Sequence, residues 1–224
     1  MRLINILTNY KEGGYAVAFM KSREELQKLL PQSIMEGSLC EFNSPRGCFK
    51  VVSFGQTIEI SYPEGQIINI GSDTTLSLGW RLILLNYLSY AKNIPLSGQR
   101  ISYRDLPLGN VFYPNIRKHS LEPLGNFFSS CDQDILRQSL IEAGFTLLQA
   151  KADIAAMGFF APRIPVQLHF WEGEEGIPSA CQILFDSTIV DQMHIEDSAA
   201  LCSVIKDHIL RNYELLVQRT RSLR

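Results

Sequence analysis

The chain has 224 residues, 46% of them hydrophobic, and a net charge of −2 from 21 basic and 23 acidic side chains. This composition suits a globular chain with a substantial core, as one large domain or two small ones. It leaves no basic footprint for nucleic acid and no apolar run long enough to span a bilayer.

In chain order, the first ten residues lack the apolar run and small-residue cleavage site of a signal peptide, so a cytoplasmic location is expected. Residues 3–7 and 15–20 have strand-like apolar content around Glu12-Gly-Gly14, which predicts a short hairpin. Ser22-Arg-Glu-Glu25 reads as a capping box opening a helix to about residue 30, interrupted by Pro31. Residues 48–54, 57–62 and 66–70 are apolar runs separated by Gly55-Gln56 and Pro63-Glu64-Gly65, the pattern of an antiparallel meander. Residues 75–93 are apolar on most of the helical circumference, which marks a buried central helix with Asp73 or Thr74 as its cap.

Further on, a short strand is expected at Ile101–Tyr103, broken by Leu106-Pro-Leu-Gly109. Residues 114–129 read as a helix made irregular by Pro123, and 132–143 as a second helix ended by Gly144. Phe145–Leu148 and Met157–Phe160 read as extended. The stretch 161–187 reads as a β-hairpin: Val166–Trp171 alternates, Glu172-Gly-Glu-Glu-Gly176 turns, and Ser179–Asp186 returns. Pro162 and Pro165 bound its first strand and Pro178 opens its second. A final helix runs from Glu196-Asp197 to about Val217. The expected fold is α+β: antiparallel meander and hairpins packed with a buried central helix and a C-terminal helix. Residues 1–45 form an N-terminal extension, 46–217 the main domain and 218–224 a basic tail.

Five scattered cysteines and no CxxC exclude a locally encoded zinc ribbon or ferredoxin cluster. Cys181 and Cys202 sit in apolar surroundings as inert thiols, whereas Cys40 and Cys48 bracket a Pro-Arg-Gly turn and are candidates to approach each other. There is no GxGxxG, P-loop, GxSxG or HExxH pattern. His169 alternates with the apolar face of a strand, which gives it a structural or solvent-facing role rather than that of a ligand.

Two groups of side chains remain as candidate chemistry. The first is basic and aromatic: Tyr103, Arg104, Phe112, Tyr113, Arg117, Lys118 and His119, of which Arg104, Tyr113 and Arg117, joined by Arg163, are expected to orient a ligand, with Trp171 at the pocket edge. Such a set clamps a carboxylate or phosphate while aromatic rings stack a planar ligand. The alternative is that Arg104 pairs with Asp105 or another surface carboxylate while Phe112 and Tyr113 fill the core. The second group is acidic: Glu172, Asp186 and Glu196 can bind a divalent cation or serve acid–base chemistry if they converge. Their alternative is solvated turns and an acidic helix N-terminus.

Several of these segments together resemble a known family. They are Leu82-Ile-Leu-Leu-Asn-Tyr-Leu88, Pro95-Leu-Ser-Gly-Gln-Arg-Ile-Ser-Tyr-Arg-Asp-Leu-Pro107, Pro162-Arg-Ile-Pro-Val166, Trp171-Glu-Gly173 and Ile183-Leu-Phe-Asp186. In that order they resemble the bacterial and archaeal domain-of-unknown-function family 3786, over about residues 50–210. The chain departs from the family pattern at Asn86, where a histidine is expected, and at His194-Ile195, where a proline–threonine pair is expected. It departs again at Glu174, which replaces Asp, and at Gly176, which replaces a bulkier residue. Some relatives carry an iron–sulfur module that this chain lacks, and the resemblance implies a setting in anaerobic redox or corrinoid metabolism.

The leading reading is an accessory protein that binds a small anionic or planar ligand, without an assigned cofactor. A protein-interaction or homodimeric assembly domain is the second reading, and a carboxylate- or metal-dependent enzyme the third.

Overall fold

A computed structural model describes residues 12–70 and 75–222. A 3-10 turn at Gly13–Tyr15 leads into helix α1, Ala16–Gln27. This corrects two expectations. Residues 15–20 are not a strand, and Ser22 is not a cap but a buried residue inside the helix. The i, i+3, i+7 stripe of Phe19, Ser22 and Leu26 faces inward, so helical spacing prevails over apolar content. Ser22 Oγ donates to the Ala18 carbonyl at 2.9 Å and bonds the Asn86 side chain. The other half of the expected hairpin, residues 3–7, lies outside the described residues. Pro31 opens helix α2, Pro31–Ser38, at a position that needs no N–H, so it starts a helix as well as separating two.

The first sheet is a four-stranded antiparallel meander of β1 (Glu41–Asn43), β2 (Cys48–Ser53), β3 (Gln56–Ser61) and β4 (Ile67–Ile70). Three of these strands were legible from turn signals; β1 is the addition. The β2–β3 turn has only Phe54 and Gly55 at its tip, with φ of 44° and 73°. Two positive φ values suit the right-handed twist of the flanking strands, but Phe pays a steric cost there. Aromatic burial offsets it. Phe54 stacks on Phe145 at 4.9 Å and meets Trp80 and Phe160 edge-on, while its amide donates to the Phe159 carbonyl at 2.7 Å. Gly144, at φ 85°, packs beneath this turn, where a Cβ would overlap the Phe54 carbonyl.

Helix α3, Leu78–Tyr90, is the buried central helix, with Trp80, Ile83, Leu84, Leu85, Tyr87 and Leu88 in the core. Its cap is Ser77, which accepts from the Trp80 amide at 3.3 Å. Asp73 and Thr74 lie outside the described residues. After β5, Arg100–Ser102, the chain forms a 3-10 turn at Tyr103–Asp105. Helix α4 (Gly109–Ile116), a π-helical segment (Arg117–Leu121) and helix α5 (Glu122–Ser130) then follow without a break. The irregularity expected at Pro123 takes the form of this π segment. The wider turn just before the proline gives its ring room over the preceding carbonyls. Helix α6, Gln133–Glu142, is capped by Asp132, whose Oδ1 accepts from the Asp134 and Ile135 amides at 3.0 Å.

The second sheet has the order β5-β9-β8-β7-β6, with β6 at Thr146–Leu148, β7 at Ile154–Ala161, β8 at Ile164–Trp171 and β9 at Ala180–Asp186. The expected hairpin is β8–β9, in register from Val166↔Phe185 to Trp171↔Ala180. Pro165 lies within β8 rather than bounding it. Opposite Phe159, beside the irregularity between Phe159 and Ala161, its missing N–H is tolerated. A short turn α7 (Ile189–Gln192) precedes α8, Ile195–Ser222, which runs five residues past its expected end at 217. One continuous apolar core joins the N-terminal helices (Phe19, Leu26, Ile34), both sheets and α8, ending at Ile209. The fold is α+β. No helix among the described residues is long and apolar enough to cross a membrane.

Candidate functional site

Strand β5 pairs with the edge of β9 for only three residues, the last pair being Ser102↔Leu184. At Tyr103 the chain leaves the ladder for the 3-10 turn, so Gln182 and Ile183 have no strand neighbour on that side among the described residues. The gap is closed from above by α4, the π segment and α8. The result is a cavity of about 100 Å³ lined by Ser102, Tyr103, Arg104, Tyr113, Ile116, Leu121, Gln182, Ile183 and Cys202. Its size is well below the roughly 300–1,000 Å³ of drug-sized ligand pockets.

Arg104 and Tyr113 therefore meet at one cavity. Two backbone features bring them together. Leu108 adopts φ 61°, a left-handed conformation rare for leucine, and Gly109 follows in a position where a Cβ would overlap the Tyr103 carbonyl. This tight passage lays the start of α4 directly on the 3-10 turn. Among the described residues, none hydrogen-bonds the side chains of Arg104, Tyr113 or Gln182. Arg104 has only a coulombic attraction to its neighbour Asp105, whose carboxylate accepts from Ser102 Oγ at 2.6 Å and is lowered in pKa chiefly by that bond.

The cavity floor is apolar and chemically quiet. Ile116, Leu121 and Ile183 are buried, and the Tyr103 hydroxyl is spent on the Ile195 carbonyl at 2.9 Å. Burial pushes the Cys202 thiol up to about 12, and its sulfur is directed to the Ser198 carbonyl at 3.5 Å. It stays protonated at neutral pH and offers no thiolate nucleophile.

The remaining expected ligand residues do not join this cavity. Arg117 projects into solvent and pairs with Glu122 at 2.8 Å. Trp171 sits on the outer face of β8, one side-chain row beyond the Gln182↔His169 pair, with its ring 5.7 Å from that of His169. Arg163 is buried. Its guanidinium donates to the carbonyls of Gly37 at 2.6 Å, Ile94 at 2.8 Å and Glu36 at 3.3 Å, and to Asn93 Oδ1 at 2.7 Å. It ties α2 to the loop after α3 and to the β7–β8 turn.

The carboxylates lie apart. Glu172 is exposed at the far end of the hairpin from Asp186, six residues of strand or about 20 Å away. Glu196 is exposed in the first turn of α8. Asp186 is 1% exposed and fully engaged. It accepts from the amides of Ser97 (3.0 Å), Gly98 (2.8 Å) and Thr188 (3.1 Å), both neighbouring hydroxyls, and Arg100 Nη1 (2.9 Å). Burial alone would raise its pKa, but the Thr188 and Ser97 bonds together hold it well below the usual carboxylate range. No group of three or more His, Cys, Asp or Glu among the described residues is placed to hold a metal ion. Cys40 and Cys48 are free thiols: Cys48 pairs with Asn43, so Cys40 lies three residues, about 10 Å, along the strand. That is beyond disulfide reach.

Ser102, Ile116, Leu121, Gln182, Ile183 and Cys202 escaped the sequence reading of the site. The alternation of β9 marks Gln182 as outward and Ile183 as inward, but not that its edge is left open there. The π segment is a signal in its own right, since such segments recur at functional sites.

Compared with known proteins, the model of the family described as Domain of unknown function (DUF3786) matches residues 31–208, a span that includes every residue of this cavity. The chain belongs to that family. No curated protein and no solved structure matches it.

Proposed function

We propose that this member of the DUF3786 family is a cytoplasmic accessory protein that binds a small anionic or planar ligand in the cavity at the open edge of β9. One observation carries the reading. Arg104 and Tyr113 share a concave site and neither side chain has a hydrogen-bond partner within the described protein. Polar groups converging on an otherwise apolar recess are the usual composition of a ligand pocket. Arg104 orients the anion and the Tyr113 ring flanks it. Arg117, Arg163 and Trp171 take no part, and the spent Asp186 carries no carboxylate chemistry. The family resemblance adds the metabolic setting, anaerobic redox or corrinoid chemistry.

Native mass spectrometry of protein purified without oxygen tests this. Wild type is expected to carry a small-molecule adduct that Arg104→Ala loses. An adduct of equal occupancy in both proteins contradicts the assignment.

A second reading, assembly, has its own observation. Ile68 and Ile70 are exposed on edge strand β4, with Val52 exposed on the same sheet. An apolar sheet edge is a template for pairing with another chain. Sedimentation of wild type and Ile68→Lys separates the two readings, because only assembly predicts a concentration-dependent dimer that the lysine abolishes.

A further inference from the structure

The distribution of polarity within the cavity says more than its existence. We infer that its ligand is a small monocarboxylate with a short apolar tail, held tail-inward; this rests on the binding reading above.

The polar atoms gather at the mouth. Arg104 and Gln182 are exposed and Tyr113 is half-buried, so these three uncommitted side chains form a rim. The depth of the cavity has the opposite character. Ile116, Leu121, Ile183 and Cys202 are all buried, and the one hydroxyl among the buried lining residues, that of Tyr103, is already donated to Ile195. The buried side chains of the floor offer a ligand no free hydrogen-bond partner, so a polar group packed against them would lose hydration that they do not replace. An alkyl or aromatic end is favoured instead, at a gain proportional to the apolar area it buries.

Charge sets the other end. Among the described residues that line the cavity, Arg104 is the only cationic side chain and none is acidic. One planar guanidinium matches one carboxylate in bidentate geometry. The adjacent Asp105 carboxylate weakens the local positive potential, which disfavours a dianion. The small volume limits the tail to a few carbons. The protonated Cys202 thiol leaves the carboxylate unmodified, so the site binds and releases its ligand without covalent chemistry.

An amide-detected NMR titration of the full chain at constant ionic strength tests this with acetate, butanoate, butanamide and inorganic phosphate. Butanoate is expected to shift the Tyr113, Gln182 and Cys202 signals and to bind about tenfold more tightly than acetate, from two further buried methylenes. Butanamide is expected to bind at least about tenfold more weakly than butanoate, and Arg104→Gln to erase that difference. If acetate or phosphate binds as well as butanoate and Arg104→Gln abolishes it, the site takes a headgroup alone. That result overturns the tail-inward inference and leaves the binding reading standing. If no probe shifts those three signals, both are overturned.

Discussion

The Tyr87 hydroxyl lies between two distant segments: it donates to the Ser38 carbonyl at 2.6 Å and accepts the Arg163 amide at 3.1 Å. The Arg163 side chain then reaches past it to the carbonyls at the end of α2 and after α3. One buried hydroxyl and one buried guanidinium thus lock the N-terminal helices to the second sheet. Gly37, in the same corner, has no room for a Cβ beside the Ala91 carbonyl. Arg163 is a staple of the fold.

Replacing Arg163 by Met keeps the length of the stem but takes the side-chain donor from the Gly37 and Glu36 carbonyls and from Asn93 Oδ1, and leaves the Ile94 carbonyl only its long 3.4 Å bond from Gln192. The expected cost is roughly 3 kcal/mol or more, since each buried orphaned group forfeits its solvation. Arg117→Ala, on the exposed pair with Glu122, is expected to change stability by less than about 0.5 kcal/mol. Urea denaturation of the two variants measures the contrast; equal midpoints would refute the staple.

Asp186 makes the fold acid-sensitive. Its folded pKa lies below the unfolded value of about 3.9, so its stabilisation is complete above that pH and is lost as pH falls. Asp186→Asn is expected to lower stability at pH 7 and to flatten the loss of stability between about pH 4 and pH 2. Denaturation midpoints over that range, for both proteins, check the sign. A variant with an unchanged acid slope would place the sensitivity elsewhere.

His208 acts at a milder pH. Burial, assisted by Arg211 and opposed by a bond to the Ala143 carbonyl, lowers its pKa below the usual value. The ring is held neutral: Nε2 donates to Ala143 at 2.8 Å, and Nδ1 accepts from Asn212 Nδ2 at 3.1 Å. As pH drops below about 6.5 the unfolded chain takes up the proton first, so stability falls with pH. His208→Gln is expected to lose less stability between pH 7.5 and 5.5 than wild type does. Urea midpoints at the two pH values decide it.

What was legible in the chain were features written in local spacing. Turn glycines and prolines mark the meander and the β8–β9 hairpin, and the apolar run of α3 announces burial. Arg104 and Tyr113 stood out by residue type and proved to share a cavity. Features set by distant partners were not legible. Ser22 looks like a cap until Asn86, 64 residues away, bonds it from the core. Asp186 and Arg163 have the residue types of ligand groups, and only the tertiary structure shows their hydrogen bonds already used. The cavity itself exists because β5 stops pairing after Ser102, a choice of path that no local pattern records.

The most direct test of the central claim is the melting temperature of wild type and Arg104→Ala, each with and without butanoate in large excess. The Arg104 side chain is exposed and makes no hydrogen bond among the described residues, so both apo proteins are expected to melt together. Ligand is expected to raise the midpoint of wild type alone, because binding to the folded state stabilises it by mass action. An equal rise in both proteins would contradict the assignment of this cavity as the binding site, and no rise in either would contradict a monocarboxylate as its ligand.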